Sequence, residues 1–274
     1  MNQTIHFISG LPRSGSTLLA GILRQNPQFQ ARMSGPLGNL INQNVTAMSQ
    51  GNEFSLFITP EQKHSILKGI FTNYYEGINK KVIFDTNRIW CAKLPLIKQL
   101  FPEAKVIACV RNLAWIMDSL EKIVRKNPLS VSGMFNNQGE ASTVYTRTQA
   151  LAQSDRLVGF AYDALKEGFY SNEAERLLLV EYDYLTQYPK EVMKLIYQFI
   201  GEDYYNHDFD NIEYNEEEFD SFLRTPDLHK VGRKVIYQPR QTILPPDLFE
   251  KYNNLSFWLD QAHSKANVIA QRAS

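Results

Sequence analysis

Cysteine is scarce in this chain of 274 residues, which contains only Cys91 and Cys109. Both lie in or beside apolar stretches, so buried free thiols are expected, although a disulfide between them stays open. Two cysteines cannot complete a four-ligand structural zinc site by themselves. The scarcity of cysteine therefore argues against a small, disulfide-rich fold.

Net charge and long apolar runs are also lacking. Lys and Arg number 29 and Asp and Glu number 29, so no overall field attracts nucleic acid or an acidic membrane surface. No apolar run approaches the ~18 residues that a membrane-spanning helix needs, and the first residues lack the apolar core of a signal peptide. We therefore expect a cytoplasmic protein without nucleic-acid partners, in which local basic clusters hold any anionic ligand.

Short apolar runs alternate with helical patterns along the chain. Strands are predicted at 5–8, 81–85, 105–111 and 176–182. Apolar spacing predicts helices from residue 17 onward and at 37–48, 61–78, 94–101, 113–125, 144–169, 191–200 and 246–264. This order predicts one α/β domain over residues 1–274, a P-loop-containing nucleotide-binding fold with a mostly parallel, doubly wound sheet and helices on both faces.

Ligands of such sheets bind at the carboxyl ends of the strands. The loop 10–17, Asp85, Arg111 and Tyr182 all fall at predicted strand ends. The order of the elements therefore predicts that these residues share one site.

The loop after the first predicted strand reads Gly10-Leu-Pro-Arg-Ser-Gly-Ser-Thr17. Its two glycines and its threonine match the phosphate-binding pattern G-x-x-x-x-G-K-[ST], but Ser16 replaces the lysine and Arg13 stands three residues earlier. Loop amides and a helix N-terminus together make an anion cradle. We therefore expect a phosphate-bearing ligand, but not the ordinary NTP chemistry that requires the lysine.

This loop resembles the 5′-phosphosulfate loop of sulfotransferases that use 3′-phosphoadenosine-5′-phosphosulfate (PAPS). It is most similar to the Pro-Arg-Ser-Gly-Thr-Thr form found in tyrosylprotein sulfotransferases and many bacterial relatives. Three further elements are similar to family motifs and occur in the expected order, namely Cys-Ala-Lys93-Leu-Pro, Val-Arg111-x₇-Ser119 and Glu-Tyr182-Asp. The resemblance implies transfer of a sulfuryl group from PAPS to a hydroxyl or amine, with no metal required.

The resemblance also implies roles for individual residues. The loop residues expected to bind the 5′-phosphate are Pro12, Arg13, Ser14, Gly15, Ser16 and Thr17. Arg13 and Lys93 would stabilise the sulfuryl and bridging oxygens, and Arg111 and Ser119 would bind the 3′-phosphate. Relatives often carry another basic residue four positions after this serine. Ile123 stands there in this chain, so Lys122 or Arg125 replaces that contact or it is absent.

Residues later in the chain allow two readings each. Tyr182 resembles the family's tyrosine near the nucleotide, but a structural tyrosine fits as well. Lys230, Arg233 and Arg240 belong to segment 206–245, which we expect to close over the nucleotide. The other interpretation is a basic surface whose charge balances the acidic stretch at the start of this segment.

The general base and the acceptor are the least determined features. Tyrosylprotein sulfotransferases carry a glutamate downstream of the loop arginine, and residues 32–36 contain no acid. Asp85 is the first candidate for the base, and His229 and His6 follow. The acceptor is left open as a small molecule, a glycan or a peptide, and the long loop 128–142 is typical of a lid or binding loop.

Two other functions stay open. In a P-loop kinase or NTPase, Asp85 would end a strand and hold magnesium, although the lysine of the loop is missing. A non-catalytic protein that binds adenine nucleotides would need the loop but no base.

Overall fold

The computed structural model describes residues 3–49, 51, 53–214, 217–222, 224–225 and 228–271. Its strands are β1 (Thr4–Gly10), β2 (Phe29–Ala31), β3 (Val82–Thr86), β4 (Val106–Val110), β5 (Leu177–Glu181) and β6 (Asn267–Ile269). They form one sheet in the order β2-β3-β1-β4-β5-β6, and every neighbouring pair is parallel. The predicted α/β class and parallel sheet are confirmed.

Helices connect the strands and cover both faces of the sheet. They are α1 (Ser16–Leu23), α2 (Leu37–Ala47), α3 (Pro60–Tyr74), α4 (Leu94–Leu100), α5 (Leu113–Lys126), α6 (Gln138–Ala141), α7 (Val144–Leu151), α8 (Gly159–Phe169), α9 (Tyr182–Gln187), α10 (Pro189–Ile200), α11 (Glu217–Phe222) and α12 (Pro246–Asn253). Short 3₁₀ turns lie at Glu53–Phe57, Arg88–Lys93, Ala174–Arg176 and Phe257–Leu259. Among the helices of the described residues, none is long and apolar enough to cross a membrane.

Two apolar cores lie on opposite faces of the sheet. Phe7 of β1 packs in the core that contains side chains of α2–α5, α7, α8 and α12, whereas Ile8 packs in the core formed with α1, α9 and α10. Both side chains are fully buried, as expected for a parallel strand covered on both faces. The two buried cysteines are free thiols, as predicted, and burial raises the pKa of each to about 12.

The helix predicted over 144–169 is wrong as a single element, because α7 and α8 are separated by a turn at 152–158. Within the turn, the amide of Arg156 donates to the carbonyl of Gln153 and the amide of Val158 donates to that of Leu151. A Cβ at Gly159 would lie 2.1 Å from the Gln153 carbonyl oxygen, so the tight turn needs a glycine there. The turn brings residues 155–157 to the carboxyl edge of the sheet, where they line two of the cavities described below.

Two further boundaries differ from the prediction. The last predicted helix ends early, because α12 stops at Asn253 and a 3₁₀ turn follows. The predicted loop 128–142 contains the short helix α6, whose first turn is capped by the side chain of Asn137.

Candidate functional site

The loop between β1 and α1 has two positions that require glycine. Gly10 has φ 105°, and a Cβ there would lie 2.1 Å from the Cys109 carbonyl oxygen. Gly15 has φ 97°, and a Cβ there would lie 2.7 Å from the ring of Tyr182. No side chain caps the start of α1 and its first turn holds no acid. The amides at this helix start therefore face the cavity beside the loop without a local acceptor side chain.

The hydroxyl of Ser14 points into the protein. Its Oγ lies 2.5 Å from the carbonyl oxygen of Leu11 and 2.7 Å from that of Cys109, and the side chain is fully buried. Ser14 therefore joins the loop to β4, and only its backbone amide is left for the ligand contact predicted for this residue.

Arg13 and Ser119 are in direct contact although they are far apart in sequence. The Nε of Arg13 donates to the Ser119 hydroxyl at 3.1 Å, and its Nη1 donates to the carbonyl of Leu228. Arg13 also has φ 57°, a left-handed conformation that is unusual for a residue with a side chain. The loop, α5 and the segment after residue 228 therefore meet at this arginine.

Arg111 is a buried cation with incomplete pairing. Its side chain is 4% exposed, and the nearest carboxylate oxygen, on Asp183, is 3.8 Å away. Its Nε has no hydrogen-bond partner among the described residues. Burial, with smaller contributions from Arg240 and Arg13, lowers the pKa of Arg111 to about 10, and Asp183 opposes the shift. The group stays charged at neutral pH, so its position favours an anionic ligand.

Two guanidinium groups lie close to the ring of Tyr182. The Cζ of Arg111 is 4.5 Å from the ring centroid and that of Arg240 is 5.7 Å away. Such contacts are favourable cation–π interactions. Tyr182 therefore holds both arginines beside Gly15 at the edge of the loop.

A cavity of about 150 Å³, which we call the loop cavity, joins these residues. The predicted site residues that line it are Pro12, Arg13, Gly15, Ser16, Thr17, Arg111, Ser119, Tyr182, Lys230 and Arg240. The predicted residues that do not line it are Ser14, Asp85, Lys93 and Arg233. Arg233 donates instead to Asn211 Oδ1 at 2.8 Å.

Lys122 and Arg125, the suggested replacements for a basic residue at position 123, are also outside the loop cavity. Lys122 pairs with Asp118 at 2.6 Å and Arg125 pairs with Glu121 at 2.8 Å. Both cations are therefore engaged within α5.

Asp85 is a structural residue in this fold. Its Oδ2 accepts a hydrogen bond from the Tyr75 hydroxyl at 2.6 Å, and its Oδ1 accepts one from the Trp90 indole at 2.7 Å. It is 1% exposed and lines none of the three cavities described here. Burial raises the pKa of Asp85, and the two hydrogen bonds oppose the rise. The carboxylate therefore links the residue that follows α3 and the turn Arg88–Lys93 to β3, and it is not placed to contact an acceptor.

Arg88 occupies the position that we expected for Lys93. It follows β3 after a single intervening residue, and it lines the loop cavity and both neighbouring cavities. Lys93 lies at the far end of the same 3₁₀ turn and lines none of them. The backbone carbonyl of Arg88 accepts a hydrogen bond from the Ser9 hydroxyl at 3.0 Å, whereas its guanidinium group makes no hydrogen bond or salt bridge with a residue that the structure describes. Sequence reasoning missed Arg88, although its place at a strand end was a usable signal.

His229 and Asp220 form a hydrogen-bonded pair beside the loop. Nδ1 of His229 lies 2.5 Å from Oδ1 of Asp220, and the His229 amide donates to Oδ2 at 2.8 Å. Burial lowers the pKa of His229; Asp220 opposes this shift, and the positive charges of Arg88 and Arg13 add to it. The ring is therefore neutral at pH 7, and with its Nδ1 proton directed at Asp220 its lone pair is on Nε2. Asp220 was not singled out within the acidic stretch of the sequence.

His6, the other histidine considered, lies inside the protein. It is 1% exposed in β1, and its Nδ1 accepts a hydrogen bond from the amide of Lys105 at 3.1 Å. Burial lowers its pKa to about 4, and the charge of Lys105 contributes. His6 lines none of the cavities and has a packing role.

A second cavity of about 460 Å³, the inner chamber, adjoins the loop cavity. The two share the side chains of Ser16, Arg88, Leu157, Leu228 and His229. Its other walls include Met33 and, from the predicted binding loop 128–142, Met134. The hydroxyls of Ser132 and Thr225 are 2.8 Å apart, so this loop is linked to the segment that carries His229. The inner chamber can therefore place a second molecule between the loop and His229.

The comparisons with known proteins identify a family for this chain. A family model described as the sulfotransferase family matches residues 6–206. None of the curated proteins compared with the chain matches its sequence. Among solved structures, a sulfotransferase domain from the curacin biosynthetic pathway is 15% identical with a TM-score of 0.51, over 96% of this chain and 89% of that one.

Two more solved structures are similar. A sulfotransferase from Alicyclobacillus acidocaldarius is 14% identical with a TM-score of 0.50, over 91% of this chain and 89% of that one. The sulfotransferase domain of the Synechococcus PCC 7002 olefin synthase is 18% identical with a TM-score of 0.46, over 92% and 88%. At these identities the likeness shows the fold alone. Because the family match covers well over half of the chain and includes the loop, Arg111 and Tyr182, the chain belongs to the sulfotransferase family.

Proposed function

We propose that the protein transfers a sulfuryl group from PAPS to a hydroxyl or amine of an acceptor. The observation that carries the proposal is that the phosphate-type loop, Arg13, Arg111 and Ser119 all line one cavity. The two arginines were expected at opposite ends of one nucleotide, and a single cavity that contains both is what such a ligand requires.

The residues of the loop cavity fit the anionic donor. The amides at the start of α1, with the hydroxyls of Ser16 and Thr17, would bind the 5′-phosphate. Arg111 and Ser119 would bind the 3′-phosphate, and the unpartnered Nε of Arg111 supports this role. The donor, when bound, supplies a sulfuryl group attached to a phosphate leaving group.

Segment 228–240 is proposed to open and close over the donor. The loop cavity of about 150 Å³ is smaller than the ~300–1,000 Å³ of typical ligand pockets. Its roof is formed by residues 228–232 and 234–236 and by Arg240, and the roof contacts the loop through the bond from Arg13 to the Leu228 carbonyl. Breaking that bond would free Arg13 to bind the donor.

The catalytic groups are proposed to be Arg13, Arg88 and His229. The two arginines lie where negative charge develops on the transferred group and on the leaving phosphate, and fixed donors of this kind typically contribute ~10²–10³ in rate. His229 would accept the proton of the acceptor hydroxyl on Nε2. Asp220 would hold the Nδ1 proton and stabilise the imidazolium that forms.

The kinase alternative lacks support from Asp85, the residue that would have to bind its magnesium ion. It needed Asp85 on magnesium, but both oxygens of Asp85 accept hydrogen bonds inside the core. Transfer of labelled sulfuryl from PAPS that continues in a chelator would support our proposal. Magnesium-dependent ATP turnover without any sulfuryl transfer would support the kinase instead.

Binding of adenosine 3′,5′-bisphosphate tests the proposal without an acceptor. In Arg111→Met the free protein should be as stable as the wild type or more so, because an under-paired buried charge is replaced by an apolar group. The same change should weaken bisphosphate binding at least about 100-fold, since one partner of a buried charge pair is lost. Isothermal titration and thermal unfolding measure the two effects.

Arg233→Met is the matched control, because Arg233 lies outside the loop cavity and pairs with Asn211. It should leave bisphosphate affinity within about threefold of the wild type. Equal affinity in the wild type and Arg111→Met would remove the 3′-phosphate assignment, and with it the proposed donor.

A further inference from the structure

A third cavity of about 990 Å³, the outer groove, continues from the inner chamber toward β2. Arg88 and Leu157 line both, as do Met33 and Asp155. The outer groove is therefore the path along which an acceptor would extend from the reacting centre to solvent.

The outer groove carries an excess of positive charge. Four arginines line it, namely Arg24, Arg32, Arg88 and Arg156, against one carboxylate, that of Asp155. Arg156 is paired with Glu140 at 2.9 Å. The other three arginines form no salt bridge with a described residue, and the contact of Arg24 is with the ring of Tyr214, 5.0 Å from its centroid.

Isolated arginines on a surface are ordinarily solvated and need no ligand. Here, however, Arg24 and Arg32 are exposed on one concave wall that leads to Arg88. A concave wall of one charge concentrates the field and attracts anions. Arginine also suits carboxylate and phosphate groups because its planar fork donates two parallel hydrogen bonds.

The strand order sets the distance between the two ends of this path. The loop follows β1, Arg88 follows β3 and Arg32 follows β2 directly, and these strands are neighbours in the order β2-β3-β1. Neighbouring strands lie ~4.8 Å apart, so Arg32 starts about 10 Å along the sheet edge from the loop. Arg88 lies between them.

We propose that the acceptor carries an anionic group, a carboxylate or a phosphate, about 10 Å from its reacting hydroxyl. Arg24 and Arg32 bind this group in the outer groove, and the stretch between the two ends lies in the inner chamber against Met33, Met134 and Leu157. The inference rests on the proposed function, and it adds the chemical class of the acceptor.

Binding of matched probes tests this inference without turnover. The probes are ω-hydroxyalkanoic acids of graded length, their methyl esters and the matching ω-hydroxyalkyl phosphates, titrated into protein saturated with adenosine 3′,5′-bisphosphate. At the best length, the wild type should bind the acid or the phosphate about tenfold more tightly than the ester, because the ester lacks the charge. Whichever anion binds more tightly identifies the anionic group of the acceptor.

Variants test whether the preference for anionic probes comes from Arg24 and Arg32. In the double variant Arg24→Gln and Arg32→Gln, the preference for the anion should fall below about threefold, while ester affinity is unchanged. Lys190→Gln, which removes an exposed charge of α10 outside the outer groove, should keep the full preference. Arg32→Lys should keep part of it, since a point charge remains but the planar fork is lost.

Two results would overturn the inference. One is that no length of probe shows tighter binding of the acid or phosphate than of the ester. The other is a preference that persists in the double variant. The proposed function would fail for different reasons, namely if the protein did not bind the bisphosphate or did not transfer a sulfuryl group from PAPS. Those two measurements are independent of the comparison between acid and ester probes, so the two failures can be told apart.

Discussion

The His229–Asp220 pair predicts a particular dependence of activity on pH. His229 can accept a proton only while neutral, so kcat/KM should fall as pH drops through its pKa. Burial, Arg88 and Arg13 lower this pKa below the ordinary value of 6.5, against the opposing effect of Asp220. The acid limb of the profile should therefore lie below pH 6.5.

The variant Asp220→Asn tests whether His229 accepts the proton or has only a packing role. Removal of the carboxylate lowers the pKa of His229 further, so the acid limb should move to lower pH. At the same time kcat should fall about 10²-fold or more, because the imidazolium loses its stabilising partner. His64→Gln, which changes an exposed histidine in α3, should leave the profile unchanged. An acid limb that stays in place in Asp220→Asn would show that another group accepts the proton.

Arg88 and Lys93 form a second test at the level of single residues. Arg88→Met should lower kcat by about 10²–10³ because a fixed donor at the reacting centre is lost. Lys93→Met should change kcat by less than about threefold, since Lys93 lies outside the three cavities. Steady-state sulfuryl transfer from PAPS measures both. A larger loss in the lysine variant would restore the assignment made from the Lys-x-Pro motif.

The sequence predicted which residues come together at the loop cavity where their position depends on local pattern. The loop needs its glycines. Arg111 directly follows β4 and Ser119 lies in α5, the next helix, so their separation is set by two adjacent elements. The internal hydrogen bonds of Asp85 were not predicted, because its partners Tyr75 and Trp90 come from other elements and their packing is not visible in the local pattern. Asp220 could not be paired with His229 for the same reason.

Among the elements, the long and strongly apolar ones were predictable. The four central strands β1, β3, β4 and β5 are confirmed, whereas the edge strands β2 and β6 have three residues each and give too short a pattern. The break between α7 and α8 was missed because apolar spacing continues through the turn. Both missed features contribute to the proposed acceptor path, since Arg32 follows β2 and Leu157 lies in the turn.

For the whole molecule, a net charge of zero hides a strongly uneven distribution. Positive and negative residues are equal in number, but Arg13, Arg88 and Arg111 line the loop cavity and Arg24 and Arg32 line the outer groove. Net charge therefore says little about the local field, because arginines concentrated in two cavities favour anionic ligands there whatever the overall balance.

The movement proposed for segment 228–240 predicts a change in hydrogen exchange. These residues form neither helix nor strand, so their amides should exchange faster than those of β1 and β4 in the free protein. At a bisphosphate concentration of about 100 times Kd, binding contributes ~2.7 kcal/mol, which allows up to about 100-fold protection. Mass spectrometry should show at least about tenfold slower exchange across this segment if it closes over the ligand.

The controls distinguish closure from a general gain in stability. The turn Glu53–Phe57 lines none of the three cavities, so its exchange should not change. In Arg111→Met the protection of segment 228–240 should fall to about twofold or less at the same bisphosphate concentration, because a Kd raised about 100-fold leaves the ligand near its half-saturating concentration. If the wild type binds the bisphosphate and residues 228–240 gain no protection, the ligand enters without this roof, and Arg13 stays bonded to the Leu228 carbonyl throughout.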